Sequence, residues 1–554
     1  MVLDGVVPFP PEFAASYRAK GYWRDRPLRD EFDDIFDRFA TRVAVVAGEE
    51  RITYGQIRER SQRLALNLLE LGLQPLDRVV VTMTNVPEFV YLYFALQKIG
   101  AIPICALPSH RYHEVRQFVT QSEAVACAVS DRVGEFDFPA LIERIKGEAP
   151  SLRWCLVAGQ APAGCVSLSD LLNKQPAMEP RALAAITIDP TDPCVFQLSG
   201  GTTGIPKLIP RTHNDYFYNS TIAIDVNQTR EGDVLLGVLP IEHNLPLACP
   251  GLQGFLIKGR TVVLTTSGRP ADVFRLIQDH KVTHLEVVPA LLIRWINDPV
   301  AMQFDLSSVR VIQSGGQRFQ PEIRRQTEGV FPNGAVQENF GMSEGLLMFV
   351  RLDDPEEVRM ETSGRPLSVD DEVKLLDDDD NEVPLGGVGE LTVRGPYTLR
   401  GYFRAPEHNL RAFTCDGFYR SGDLMRKHPS GNYIVEGRKK DLINRGGEKI
   451  SAEEIENLIL THPAVQDVAC VPMPDPVLGE KMCAYVILRA SHDCLALQEL
   501  VAFLLDREIA KHKLPERLEL VREFPLSPFG KVSKKALAEE IAAKLGATSG
   551  VPSS

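Results

Sequence analysis

The sequence predicts an α/β protein of more than one domain, with a large N-terminal part on parallel sheets followed by a small α+β unit. Three observations carry this. The chain has 554 residues, too many for a single hydrophobic core. Short apolar runs alternate with helical stretches along most of its length, the pattern of strand–helix–strand units in a parallel sheet. From about Asp371 that texture gives way to short strands broken by Gly- and Asp-rich turns, and beyond Gly437 to a compact mixture of helices and strands.

Residues 78–81 read as a buried strand, 89–99 as a helix and 102–107 as the next strand. The alternation recurs with apolar runs at 124–129, 195–198, 234–239, 262–265, 285–288 and 309–312. Strands at 372–376, 389–394 and 433–436 suit a small β-rich subdomain. The aspartate run 377–380 lies beside the first of them. It reads as a solvated hairpin tip, with a metal site as the alternative. In the last unit, 452–460 and 497–510 read as helices and 465–471 and 483–488 as strands. The domain break falls near Arg438–Asp441, dividing the chain into 1–437 and 438–554; the small polar tail 548–554 is expected to fray.

Composition excludes several classes. Hydrophobic residues at 44% and charged residues at 24% are ordinary globular values, against disorder or a fibrous repeat. A net charge of −13 argues against nucleic acid or anionic membrane as a partner, although a local basic cluster can still serve an anionic substrate. The ten cysteines are scattered without a CxxC pair, which suits neither a zinc site nor a disulfide framework. The N-terminus shows no basic-then-apolar leader, and no apolar run reaches the ~18 residues of a membrane span. A cytoplasmic protein is expected.

One loop carries phosphate chemistry. Phe196-Gln197-Leu198 is followed by Ser199-Gly200-Gly201-Thr202-Thr203-Gly204-Ile205-Pro206-Lys207. Its glycines let backbone N–H groups approach an anion, its threonines add hydroxyl donors, and Lys207 adds countercharge. It is not a Walker A loop, because GxxxxGK[ST] fails at every register.

The loop resembles the signature of the adenylate-forming superfamily: acyl-CoA synthetases, nonribosomal-peptide adenylation domains and luciferases. Further matches follow in the family's order. They are Arg51-Ile52-Thr53-Tyr54, Asn339-Phe340-Gly341-Met342-Ser343-Glu344, Gly389-Glu390-Leu391 with Arg394-Gly395, and Tyr419-Arg420-Ser421-Gly422-Asp423. Gly437-Arg438-Lys439-Lys440-Asp441, Asn444-Arg445-Gly446-Gly447-Glu448-Lys449 and Pro528-Phe529-Gly530-Lys531 complete the set.

The resemblance implies a large adenylate-forming domain of two parallel α/β subdomains plus a β-rich one, with a small mobile C-terminal domain. It implies ATP as substrate and Mg²⁺ held by Glu344, with Ser343 offering a hydroxyl to the α-phosphate. Phe340 and Gly341 would pack on adenine, with Gly315 and Gly316 lining the nucleotide and acid sites. Asp423 would bind the ribose hydroxyls, and Arg438 the sugar or phosphates. Lys531 would carry the adenylation step, with His243 beside the reacting carboxylate. Lys440 matches the hinge about which the C-terminal domain turns, and Gly446 and Gly447 match the loop lining a thiol channel.

The run Ile241-Glu242-His243-Asn244-Leu245-Pro246-Leu247-Ala248-Cys249-Pro250-Gly251 resembles the stand-alone aryl-acid ligases of siderophore pathways. These activate salicylate or 2,3-dihydroxybenzoate. Amino-acid-activating relatives carry an Asp where His243-Asn244 stands, so an amino acid is not the expected substrate. Asn244 can offer its amide to an ortho hydroxyl. Cys249 in place of a common serine and Leu347 in place of a common valine both disfavour a 3-hydroxyl and lean towards salicylate. Leu245 and Asn339 depart from the pattern. Asn339 either faces a ring nitrogen or extra substituent, as in a hydroxypicolinate or hydroxyanthranilate, or is an amide satisfied by its protein neighbours. The short stretch after Lys531 leaves no room for a fused carrier domain. The expected acceptor is therefore a separate holo aryl carrier protein, with free coenzyme A as the alternative.

Overall fold

The computed structural model describes residues 3–199, 206–315, 321–445, 448–507, 509, 511–527 and 530–548. The tail expected to fray lies outside these from residue 549 onwards.

Two large sheets dominate. One has seven strands in the order Leu208–Thr212, Pro193–Leu198, Ile102–Cys105, Arg78–Thr82, Ala126–Ser130, Trp154–Ala158 and Val166–Ser167. Its pairings are parallel except where Leu208–Thr212 runs back against Pro193–Leu198, the hairpin that holds the phosphate loop. The other has nine strands, with a parallel centre of Ala335–Gly341, Val311–Gly315, His284–Val287, Val234–Gly237, Thr261–Leu264 and Val43–Ala47. Antiparallel strands cap both of its edges.

One continuous core, with residues such as Val79, Val81, Val45, Leu235 and Val262, lies between the two sheets and is filled by helices. Pro87–Ile99 is buried from Phe89 to Ile99, so it has no polar face and reads as apolar throughout. The motif at Arg51 has a structural explanation. Residues 51–53 form a strand, and Thr53 caps the helix Tyr54–Glu70 in a capping box with Gln56. Tyr54 then enters the core and donates its hydroxyl to the Arg260 carbonyl at 2.6 Å.

The four-stranded antiparallel sheet Glu372–Leu376, Val388–Arg394, Tyr419–Lys427, Tyr433–Arg438 forms the β-rich part. A short 3₁₀ turn at Lys439–Asp441 leads into a five-stranded sheet that begins with Leu442–Arg445. Sheet membership therefore changes after Arg438. The aspartate run is a turn: Asp377 Oδ1 accepts from the N–H groups of Asp379 and Asn381, while Asp378 and Asp380 pair with Lys439 and Arg420.

Several boundaries differ from expectation; the strands expected at 465–471 and 483–488 run on to Asp475 and start at Gly479, which pair with each other. The strand expected at 309–312 forms at Val311–Gly315, because Val309 closes a turn onto the Leu306 carbonyl at 3.2 Å. The strand at 102 ends at Cys105. The helix expected at 497–510 is Leu497–Leu505; its buried face stops at Leu504, and Arg507 N–H folds onto the Leu504 carbonyl. All ten cysteines are free thiols. Among the described residues no helix is long and apolar enough to cross a membrane.

Candidate active site

The acid-side wall is the short helix Asn244–Ala248 and the turn after it. His243 caps the helix, its Nδ1 accepting from the Leu245 N–H at 3.2 Å. That bond leaves the proton of the neutral ring on Nε2. Burial, reinforced by the nearby Lys531 ammonium, holds the imidazole pKa well below its usual value, so His243 is neutral.

Asn244 is buried, with Oδ1 accepting from the Tyr216 hydroxyl at 2.9 Å and Nδ2 donating to Cys249 Sγ at 3.2 Å. An amide has two N–H donors, so one remains available. Cys249 Sγ also receives the Asn219 amide at 3.3 Å, and burial pushes its thiol up to about 12. Behind this layer lies the buried ion pair of Arg211 and Asp215 at 2.8 Å. Arg211 also donates to the Ser343 carbonyl at 3.1 Å, linking the acid wall to the phosphate side.

Three anchors fix the loop. Asn85 accepts from the Ile241 N–H and donates to the Gly237 and Leu239 carbonyls. Glu242 accepts from the Met83 N–H, and Glu286 from the Gly251 N–H, both at 2.8 Å. Burial pushes both carboxyls up to about 8, so each is largely protonated at neutral pH. Gly251 is obligatory: its φ is +48°, and a Cβ would lie 2.2 Å from the Pro246 oxygen. Gln313 donates to the Cys249 carbonyl at 3.1 Å from the facing strand. On that sheet Leu347 and Phe349 belong to the same core as Leu245, Leu247 and Cys249. Gly315 pairs with Asn339, and Asn339 with Phe349, so Gly315, Asn339 and Leu347 face the Asn244–Cys249 wall.

The nucleotide side is charged. Glu344 is 8% exposed, and its Oε1 accepts from the Tyr402 hydroxyl at 2.8 Å. Burial raises its pKa, so its surroundings fall short of the positive charge that would hold it ionised. Asp423 is 3% exposed; Oδ1 takes the Arg438 Nε–H at 2.7 Å, while Oδ2 is buried without a partner. Phe340 packs on the opposite face of its strand from Asn339, against the β-rich part. Gly341 and Ser343 follow it towards Glu344. Lys207 stands 5.8 Å from the Tyr402 ring centre, and its N–H bonds Ser199 Oγ at 2.9 Å.

Lys531 reaches this cleft from the C-terminal unit. Its N–H donates to Ser527 Oγ at 3.1 Å, and the turn rests on the large domain where Gly530 approaches Val288. Gly315, Asn339 and Leu347 thus share the sheet face turned to Asn244 and Cys249, Glu344 lies near the Asp423–Arg438 pair, and Lys531 comes close enough to His243 to act on it electrostatically. Lys440 occupies the 3₁₀ turn between the sheets. Gly200, Gly201, Thr202, Thr203, Gly204, Gly316, Gly446 and Gly447 lie outside the described residues.

The sequence reading missed Tyr402, Tyr216, Arg211, Asn219, Glu286 and Gln313. Each acts through a partner that is distant in the chain or on another strand, Arg211 also pairing locally with Asp215. Tyr216 alone had a local signal, as a tyrosine in a helix that the capping box at Thr212 announces.

For a divalent cation, no group of three or more His, Cys, Asp or Glu is present among the described residues. Magnesium held between one carboxylate and ATP oxygens needs no such cage. The under-compensated Glu344 fits that role.

Comparison with known proteins gives the family. Residues 32–403 match the AMP-binding enzyme family and residues 454–531 the AMP-binding enzyme C-terminal domain. A salicylyl-CoA synthase / salicylate adenylyltransferase of a Streptomyces species is 45% identical, covering 98% of this chain and 99% of its own. The 2,3-dihydroxybenzoate-AMP ligase of Bacillus subtilis is 43% identical over the same shares. Among solved structures, apo MbtA of Mycobacterium smegmatis has 40% identity and a TM-score of 0.74, covering 97% of this chain and 99% of that one. Family matches over both parts of the chain, with relatives alike over nearly its whole length, place it in the AMP-binding, adenylate-forming enzyme family, among its aryl-acid AMP ligases.

Proposed function

We propose that this enzyme activates an aryl acid with an ortho hydroxyl, salicylate favoured and 2,3-dihydroxybenzoate next. It then transfers the acyl group to a phosphopantetheine thiol in siderophore or related peptide biosynthesis. The observation that carries the reading is the neutrality of the acid wall. Asn244 has an amide N–H to spare, burial keeps His243 uncharged, and Glu242 and Glu286, whose carboxyl pKa burial raises, each turn one oxygen to a backbone N–H. No carboxylate is offered to a substrate ammonium there, whereas a hydroxybenzoate ring finds apolar walls and one amide.

In the first step the acid's carboxylate oxygen attacks the α-phosphorus of ATP, the bond to the β-phosphate oxygen breaks, and pyrophosphate leaves. Lys531 and His243 stabilise the carboxylate and the charge developing on the α-phosphate. Asp423 takes the ribose hydroxyls, its spare Oδ2 being free for one, while Arg438 orients it. Ser199, Gly200, Gly201, Thr202, Thr203, Gly204 and Lys207 hold the phosphates, and Phe340 stacks on adenine. Magnesium, held by Glu344, would neutralise phosphate charge.

In the second step the thiol sulfur attacks the acyl carbon and AMP leaves. Rotation of residues 438–554 about Lys440 would withdraw Lys531 and bring Gly446 and Gly447 to the thiol channel. The proposed acceptor is a holo aryl carrier protein, with free coenzyme A as the alternative that the Streptomyces relative's name suggests.

Acid-dependent pyrophosphate–ATP exchange tests the first step. Exchange with salicylate above 2,3-dihydroxybenzoate, and none with amino acids, is expected; exchange driven by an amino acid would sink the reading. Incubation with either coenzyme A or a holo carrier then decides the acceptor.

A further inference from the structure

Asn339 is 6% exposed, and its Nδ2 has no hydrogen-bond partner. The polar residues around it behave differently. Glu286, Gln313 and Gln337 lie in register across three adjacent strands. Each commits polar atoms to a neighbouring segment: Glu286 Oε1 to the Gly251 N–H, its Oε2 staying an unpartnered acceptor, Gln313 to the Cys249 carbonyl, and Gln337 to Asn227 and to the Val226 and Val350 carbonyls. That row is scaffolding. Asn339 sits one step further along its strand on the same face, where the sheet meets the acid pocket.

Its neighbours make room for it. Gly315 is its registered partner, and a Cβ there would lie 1.7 Å from Asn339 Oδ1, so any larger residue at 315 would displace the amide. Phe349 on the other side is apolar and belongs to the core shared with Cys249 and Leu347. The alternating residues Val336 and Phe340 face away into other clusters. Asn339 is therefore a buried, unpartnered donor on the face of the sheet from which Gln313 reaches the Asn244–Cys249 segment. An amide buried without a partner is costly, and the natural partner of an N–H donor is an acceptor.

Resting on the aryl-acid reading above, we infer that Asn339 is a specificity-determining residue that donates to an acceptor on the acid's ring. The substrate is then a salicylate-type acid with a ring nitrogen, or a ring-borne oxygen, on the edge facing the strand Ala335–Gly341. Plain salicylate satisfies Asn244 and leaves Asn339 unsatisfied. A site built to hydrogen-bond a substrate group penalises the analogue lacking it, because the site's own polar group is left bare.

The experiment is pyrophosphate–ATP exchange by the full-length enzyme on three sets of acids. These are salicylate, its pyridine analogues with nitrogen at each free ring position in turn, and salicylates with one further hydroxyl at each position. At least one acceptor-bearing acid should exceed salicylate in kcat/KM by about tenfold or more. The nitrogen and hydroxyl arms show which kind of acceptor is read. Asn339→Leu, close in volume but without donors, should abolish that advantage, read as the ratio of kcat/KM on the acceptor-bearing acid to kcat/KM on salicylate. If the leucine variant loses activity on every acid, Asn339→Ala removes the amide without adding bulk and reads the same ratio. Salicylate ranking first in the wild type, or an advantage that survives in both variants, overturns the role of Asn339 and leaves the aryl-acid reading standing. Exchange with no aryl acid at all overturns both.

Discussion

On the acid side of the cleft, Glu242, Glu286, His243 and Cys249 are buried and largely uncharged near neutral pH. On the nucleotide side, Asp423 and Arg438 form an ion pair, and Lys531 brings an ammonium to the junction. On the proposed reading, the first wall recognises a ring by shape and hydrogen bonds to neutral groups. The second must hold two anions close enough to react, which requires fixed charge. Lys531 belongs to the nucleotide wall by chemistry yet stands beside His243 of the acid wall, so its charge acts where the two meet.

Removing that charge should have the largest effect. Lys531→Ala is expected to lower exchange by about 10²–10³-fold or more while ATP binding, followed by calorimetry, is nearly unchanged. Exchange within about tenfold of wild type would take Lys531 out of the adenylation step. Asp423→Asn should rank next. It leaves an oxygen for the ribose but removes the charge that Arg438 pairs with, so kcat/KM for ATP should fall about 10–100-fold. The KM for the acid should stay the same; a matching rise in it would mean the two walls are coupled through Arg438.

The two walls also differ in how far they could be read from sequence. The proposed nucleotide-side groups sit in short runs such as Ser199 to Lys207 or Phe340 to Glu344, where adjacent residues share one task. Glu344, Asp423, Arg438 and Lys531 could therefore be named as candidates before any fold was known. The acid wall is assembled across strands. Asn244 and Cys249 stood out, but Glu286 lies in a buried parallel strand whose both faces are covered, so hydropathy does not say which way it points. Its role depends on Gly251, which is distant in sequence. Tyr402 is invisible for the same reason, since its meaning comes from Glu344. The strands and helices themselves were largely legible, except where a turn such as that at Val309 moved a boundary.

Within the acid wall the effects should be smaller and should change preference rather than rate. Cys249→Ser replaces a weak thiol with a hydroxyl that can both accept from Asn219 and Asn244 and donate to a substrate hydroxyl. The ratio of activity on 2,3-dihydroxybenzoate to that on salicylate should rise about tenfold, the scale of one buried hydroxyl gaining a partner. An unchanged ratio would place the 3-position elsewhere in the pocket.

The smallest expected effect tests the neutrality itself. Glu286 has a folded pKa pushed up to about 8, against an ordinary 4.5. Between these values the unfolded chain releases a proton that the folded chain keeps. Its contribution to stability is therefore fully present below 4.5 and is lost as pH rises through 8. Glu286→Gln mimics the protonated acid at every pH. Its melting temperature relative to wild type should climb by about 1–3 °C between pH 5 and pH 8. Glu242→Gln should behave alike, since burial raises that carboxyl equally and its anchor is an independent backbone N–H. A difference that is flat with pH would mean Glu286 is ionised throughout, and the acid wall would then carry a negative charge beside an anionic substrate. The KM for the acid decides between these states. In the wild type it should rise above pH 8 as Glu286 ionises, and in Glu286→Gln it should not.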